Sequence, residues 1–282
     1  MEITIDGKSP DITLDTEKTI GDVLSGIEQW LALTGNRIKE IRINGESSGD
    51  DLAESFAREI KDVKKLELTL SYWRELAAEA LTALLENCAL YGNADFAARP
   101  QIVYSWENSA ARRFLASDIS DMEKLAAGAF SGEGLSPQDL AVLVEERLRE
   151  IADPGPEIGR SEALVKSISQ RMEELPLDIQ TGKDQRAAET VQLFTGIGEK
   201  LFRVFFVYKS EGLSTETFII DGMPARTFVD EFNAALRELS AAYENRDSVL
   251  AGDIAEYELA PRLMKFFSAL NNISKSGFPV AS

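Results

Sequence analysis

The segment GDIAEYE carries three carboxylates, Asp253, Glu256 and Glu258, which are candidate metal ligands. On a helix, Asp253 and Glu256 are three residues apart, so both side chains lie on one face. Mg²⁺, Ca²⁺ and Mn²⁺ prefer such oxygen ligands. One hypothesis is therefore a hydrolase or transferase that uses a divalent metal, with Asp253 and Glu256 as ligands. Because equally acidic runs occur elsewhere in the chain, solvated or helix-capping carboxylates are the favoured interpretation.

The chain contains no histidine and one cysteine, Cys88. Histidine is the usual general base and a frequent zinc ligand, and a disulfide or a multi-cysteine metal site needs a second cysteine. Cys88 lies in LTALLENCALYG, a helical pattern that favours a small buried apolar side chain over a nucleophile. The composition therefore favours a non-enzymatic protein and predicts no cofactor.

The segment FTGIGEK (Phe194–Lys200) is superficially similar to a glycine-rich phosphate loop. It lacks the Lys-Ser/Thr step and the preceding strand that such a loop requires. We predict instead that Gly196 and Gly198 lie in a helix, at a kink or at a close approach of another helix.

The formal net charge of −18 determines which partners the chain can attract. Such a charge repels nucleic acids and anionic membranes and favours basic partners. No run of about 18 uncharged apolar residues is present, and the N-terminus lacks the pattern of a signal peptide. We therefore expect no nucleic-acid partner, no membrane insertion and a cytoplasmic location.

Residues 1–71 form a pattern of alternating and helical segments that predicts a small mixed domain. Thr19 is a helix N-cap and Gly35 a helix C-cap, and Ile38 is out of phase with Ile41 and Ile43, which indicates a bulge or a late strand start. The first two strands are expected to form a hairpin. The predicted elements are strands at 2–6 and 12–15, a helix at 20–34, a strand at 38–43, a short helix at 52–60 and a strand at 63–70.

This order of elements resembles that of β-grasp (ubiquitin-like) domains. The resemblance implies a compact module that is often used for protein contacts. Sulfur-carrier and modifier members of that superfamily act through a free Gly-Gly C-terminus, whereas here the chain continues into SYWRELAAEAL, so those roles do not transfer.

From Tyr72 onward the pattern is almost wholly helical and predicts a bundle of about six or seven helices. Residues 102–130 read as one long helical segment, and Ser136 with Pro137 marks a helix start. The predicted class is α+β: a small β-grasp domain, residues 1–71, followed by a mostly α-helical bundle, residues 72–282. A second boundary near residues 153–156 remains an alternative, so the helical part is one domain or two.

The segment Ala235–Leu263 resembles a recurring box in uncharacterised bacterial helical proteins, some of which are associated with motility gene neighbourhoods. This resemblance covers about a tenth of the chain and contains no catalytic motif. It implies a bacterial interaction protein and assigns no site residues.

Two apolar stripes are wider than one packing seam requires and supply candidates for partner contacts. The candidates are Phe202, Phe205, Phe206, Phe266 and Phe267, with core packing as the competing interpretation. The favoured function is a non-enzymatic adaptor or chaperone-like protein that holds a basic or apolar helix of a partner within an acidic rim. A structural subunit of a larger assembly is another hypothesis, and homo-oligomers remain open.

Overall fold

The structure is a computed structural model that describes residues 1–14, 16–31, 34–48, 52–245 and 247–276, the side chains of residues 52–54 excepted. The chain divides into two compact units, Met1–Leu148 and Arg149–Ser282. The predicted α+β class is confirmed, because a small N-terminal mixed sheet precedes a mostly helical body.

Four strands form the N-terminal sheet within the described residues, in the order β1-β4-β2-β3. β1 runs parallel to β4, and β2 runs antiparallel to both β4 and β3. Asn44 and Gly45 have positive φ of 55° and 87°, as expected for the tight turn that joins β2 to β3. The strands are β1 (Glu2–Ile5), β2 (Asn36–Ile43), β3 (Glu46–Ser47) and β4 (Lys65–Tyr72).

Helix α1 (Ile20–Leu31) supplies the apolar layer that packs on this sheet. The predicted N-cap is confirmed, because Thr19 Oγ1 accepts a hydrogen bond from Asp22 N at 3.2 Å, and Asp22 accepts one from Thr19 N at 2.9 Å. The out-of-phase Ile38 is also explained, since the β2–β4 register shifts between Ile38 and Glu40. Gly35 has the left-handed φ of 73°. A short helix α2 (Leu52–Ala57) and a 3₁₀ turn (Ile60–Asp62) lead into β4.

The predicted hairpin between residues 2–6 and 12–15 is wrong over the described residues 12–14, which form no strand; Asp15 lies outside the described residues. The chain does turn back at Asp6 and Gly7, whose φ values are 49° and 74°. Ile5 and Lys8 exchange one pair of backbone hydrogen bonds, of 2.8 and 3.0 Å. Pro10 follows and has no N–H with which to extend the ladder.

After the sheet the chain continues in helices, and one of the predicted helical segments is divided. The predicted single segment 102–130 is divided into three helices: Ser109 Oγ accepts from Arg112 N and starts the second, and Ile119, with φ −139° and ψ 56°, leaves the helical conformation before the third. The predicted start at Pro137 is confirmed, with Ser136 Oγ accepting from Asp139 N at 3.1 Å. The helices are α3 (Trp73–Asn93), α4 (Arg99–Glu107), α5 (Ala110–Asp118), α6 (Ser120–Ser131) and α7 (Pro137–Ala152).

The second unit is a helical bundle in which α8 packs against both α10 and α13. Stacked and tilted phenylalanine rings fill its centre, such as Phe194 with Phe232 and Phe228 with Phe266. Its elements are α8 (Pro154–Glu173), α9 (Leu175–Gln180), α10 (Asp184–Ser210), β5 (Ile219–Ile220), β6 (Met223–Pro224), α11 (Ala225–Glu244), α12 (Ser248–Asp253), a π-helix (Ile254–Leu259) and α13 (Ala260–Ser276).

Two buried carboxylates, Glu150 and Glu157, lie within the second unit and are surrounded by cations. Arg203 donates two hydrogen bonds to Glu150, of 2.8 and 2.9 Å. Lys200 Nζ lies 3.2 Å from Glu157 Oε2, and Arg160 also pairs with Glu157. The ion pairs compensate the burial of both carboxylates and connect α7, α8 and α10.

Candidate functional site

Most of the phenylalanines predicted to contact a partner lie in the core of the second unit. Phe205, Phe266 and Phe267 are 7%, 0% and 3% exposed. The ring of Phe202 lies 4.8 Å from that of Phe266. Phe206, at 38%, is the exposed member of the five. These rings therefore stabilise the bundle, and contact between any of them and a partner stays a prediction.

The predicted metal ligands Asp253 and Glu256 lie at the surface, on either side of the junction between α12 and the π-helix. Glu256 accepts a hydrogen bond from the Tyr257 hydroxyl, and this bond and the charges of Glu256 and Asp253 raise the pKa of Tyr257. Within the part of the chain that the structure describes, no group of three or more Cys, Asp or Glu is arranged to hold a metal ion.

Gly196 and Gly198 lie inside α10, where their backbone N–H groups belong to the helix. A Cβ placed on either glycine would meet no described atom within 4 Å, so the predicted close approach of another helix is wrong. Cys88 is 3% exposed, and burial raises the pKa of its thiol to about 11.

The exposed apolar side chains of the second unit include a group on α9, α12 and the π-helix, three elements that pack on one another. We call this group the α9–α12 patch: Leu177 (58% exposed), Val249 (65%), Leu250 (46%) and Tyr257 (65%). Large apolar side chains that lie together at a surface mark a site of interaction more often than isolated ones do.

The packing of α12 explains why its large side chains point outward. Ala251 and Gly252 are buried, and a Cβ added to Gly252 would lie 2.9 Å from Pro176 Cβ. Gly252 therefore faces α9 at close contact and Ala251 belongs to the hydrophobic core of the unit, which leaves Val249 and Leu250 on the outer face. In an ordinary surface helix the large apolar residues face the core.

The charges beside the patch are negative and are not neutralised by any described cation. Asp253 and Glu256 form no ion pair with the lysines and arginines that the structure describes, whereas Glu258 pairs with Arg262. The patch thus combines apolar surface with carboxylates that no described lysine or arginine pairs, which suits an apolar segment with basic flanks.

An open groove of about 750 Å³ near the start of α10 is lined by Arg171, Lys183 and Arg186, among others. Its cations already have partners: Lys183 Nζ lies 3.4 Å and Arg186 Nε 3.0 Å from the buried Asp178 carboxylate. This groove therefore belongs to the packing of α9 against α10, because its charges compensate a buried acid.

Sequence patterns did not single out the α9–α12 patch. Leu177 lies in PLDIQTGKD, which reads as a connection, and Val249 and Leu250 lie in a helix whose buried face the pattern does not define. One signal was present: in VLAGD, two large apolar residues precede two small ones, and small residues allow helices to pack closely.

Comparisons with known families match two separate parts of the chain. Residues 1–71 match the family model of the TP0873 N-terminal domain. Residues 157–269 match that of a domain of unknown function, DUF8042, and this range contains the whole α9–α12 patch. Neither the curated proteins nor the solved structures give a significant match to the chain. No helix among the described residues is long and apolar enough to cross a membrane.

Proposed function

We propose that the protein is a non-enzymatic interaction module of the bacterial cytoplasm, an adaptor or chaperone-like protein that holds an amphipathic helix of a partner on the α9–α12 patch. The observation that carries this proposal is the exposure of Leu177, Val249, Leu250 and Tyr257 beside carboxylates without a described ion pair. A helix with apolar residues at intervals of three and four and with lysine or arginine on its flanks complements both features.

The N-terminal unit supports the same proposal. Parallel pairing of β1 with β4, and α1 packed on the sheet, fit the β-grasp (ubiquitin-like) arrangement, whose members often serve as contact modules. Ala235–Leu263 resembles a segment of uncharacterised bacterial helical proteins, some of which are associated with motility gene neighbourhoods, and this extends the proposal to a partner from a motility system.

A photo-crosslinking residue at Val249, introduced into the full chain in native cells, tests the proposal. We expect a specific adduct with a partner at this position and none at Val142, an equally exposed valine of α7. Leu177→Asp should abolish the adduct while changing the free energy of unfolding by less than about 0.5 kcal/mol, because the residue is exposed.

The identity of the adduct decides between the hypotheses. Equal adducts at Val249 and Val142, or no effect of Leu177→Asp, would exclude the patch as a docking surface. An adduct with a second copy of the chain would make the protein a subunit of its own assembly instead of an adaptor.

A further inference from the structure

On the side away from β4, the backbone groups of one residue of β1 have no hydrogen-bond partner among the described residues. Glu2 N donates to Lys64 O at 2.8 Å and Asp6 N donates to Leu68 O at 2.9 Å, so these amides point towards β4. Since backbone groups alternate in direction along a strand, the N–H and C=O groups of Ile3 and Ile5 point away from β4. Ile5 uses its groups in the pair with Lys8, whereas those of Ile3 have no hydrogen-bond partner on the outer side among the described residues.

The two edges of the sheet differ. The opposite edge is β3, which is two exposed residues long and carries Glu46, and short charged edges resist pairing. The β1 edge has no such protection at Ile3. An unpaired strand edge accepts an extended backbone, because only an extended chain can satisfy its donors and acceptors in register.

A groove of about 400 Å³ begins where the chain leaves this edge. Its walls are residues 10–14, which include residues 12–14 of the predicted second strand, and one flank of α1. Trp30 is 55% exposed and Ile12 is 38% exposed in it. Ile3 and Leu14 pack against the same hydrophobic core, and Pro10 of the groove wall comes two residues after Lys8, which pairs with Ile5 on the outer edge of β1.

The negative charge of the groove indicates which kind of partner it would bind. Asp11 and Glu17 line it, and none of its described lining residues is a lysine or an arginine. A second copy of the chain would bring Glu2 and the same acidic groove to the contact, which disfavours pairing between copies. A basic segment of another protein has the complementary charge.

We infer that the β1 edge and this groove form a second docking site, for an extended segment of a partner protein. The segment adds as a strand beside Ile3, places an apolar side chain against Trp30 and Ile12, and carries lysine or arginine at the alternating positions. The site shares no residue with the α9–α12 patch and lies in the other unit, so the protein offers one surface for a helix and one for a strand.

A short peptide of alternating valine and lysine, titrated into the full chain, tests this inference. Trp73 and Trp106 are 4% and 3% exposed, so a change in tryptophan emission on binding reports mainly on Trp30. We expect hydrogen exchange of the Ile3 amide to slow at least about tenfold on binding. Trp30→Ala should weaken binding about tenfold, and Tyr104→Ala, an exposed aromatic of α4 in the same unit, should leave it unchanged.

Two further peptides separate strand addition from other modes of binding. N-methylation of the peptide backbone removes the donors that a strand needs, and alternation of valine with glutamate reverses the charge; neither peptide should bind. Equal binding of the N-methylated peptide, or binding without protection of Ile3, would overturn the inference.

If the Ile3 amide is protected without peptide and the protein sediments as a dimer, a second copy is the occupant, and this result would overturn the inference as well. Val249→Asp should leave peptide binding intact, so this result and that for the α9–α12 patch are independent.

Discussion

At the scale of single residues, each buried carboxylate of the second unit that the structure describes has cationic partners. Glu150, Glu157 and Asp178 are each at most 3% exposed, and each has lysine or arginine partners. A buried carboxylate without a partner costs several kcal/mol, whereas an exposed ion pair contributes about 1 kcal/mol or less. The burial of an ion pair therefore matters more to stability than the number of ion pairs.

We expect Arg203→Met to destabilise the protein by about 3 kcal/mol, because Glu150 would remain buried with Lys200 Nζ 3.9 Å away as a weak partner. The matched control is Arg226→Met, whose ion pair with Glu216 is exposed at both ends and whose loss should change stability by less than about 0.5 kcal/mol. Urea unfolding measures both variants. Similar effects of the two substitutions would contradict the importance of burial at Glu150.

Cys88 should be inert in the folded protein. Burial raises its pKa to about 11, so at pH 8 only about one thiol in a thousand is ionised, and a thiol reagent should react at a measurable rate only after unfolding.

The unfolded chain ionises the Cys88 thiol near its ordinary pKa and the folded chain does not. Stability should therefore fall between about pH 9 and pH 11, by up to about 3 kcal/mol relative to Cys88→Ala. Parallel stability–pH curves for the two proteins would contradict this.

At the scale of elements, glycine and its neighbours determine how closely the helices pack. Gly252 lets α12 touch Pro176 of α9, whereas Gly198, although buried in α10, faces no described atom within 4 Å of an added Cβ. The same residue type thus has opposite consequences in two helices of one unit.

Substituting alanine at these two glycines provides a matched test. Gly198→Ala should stabilise the protein by about 0.5–1 kcal/mol, because alanine restricts the unfolded chain and no contact opposes its methyl group. Gly252→Ala should destabilise it by about 1–3 kcal/mol, because the methyl group would overlap Pro176 and force α12 away from α9. Thermal unfolding measures both changes, and a change of the same sign in both would contradict this account.

Local signals in the sequence predict the elements well, and contacts between distant residues account for what it misses. The caps at Thr19 and Ser136 and the bulge after Ile38 depend on neighbours within a few residues or on one strand pairing. The hairpin fails because Pro10 interrupts it. Periodicity also identifies apolar side chains such as Phe266 without telling which of them the core covers. The outward orientation of Val249 and Leu250 follows from a contact between Gly252 and Pro176, which are far apart in the sequence.

At the scale of the whole molecule, the net charge of −18 acts against the compact state in both units. Repulsion among exposed carboxylates is long-ranged and is screened by salt, whereas the buried ion pairs near Glu150 and Asp178 are screened much less. Salt should therefore relieve repulsion more than it weakens attraction.

We expect the melting temperature to rise when NaCl is increased from about 0.02 M to about 0.3 M. Calorimetry measures the shift, and an uncharged osmolyte of matched osmolarity controls for effects on the solvent. A lower melting temperature in salt would show that surface ion pairs outweigh the repulsion.

The π-helix Ile254–Leu259 sets the rotational phase between the helices on either side of it. A π-turn accommodates one residue more than an α-turn, as if a residue had been inserted into a continuous α-helix. Closing this wide turn to α-turns without shortening the chain would rotate every residue of α12 by about 100° relative to α13. Val249 and Leu250 would then leave the outer face while Leu263 stayed in the core, whereas deletion of one residue of the wide turn would restore a continuous α-helix with both side chains still facing outward.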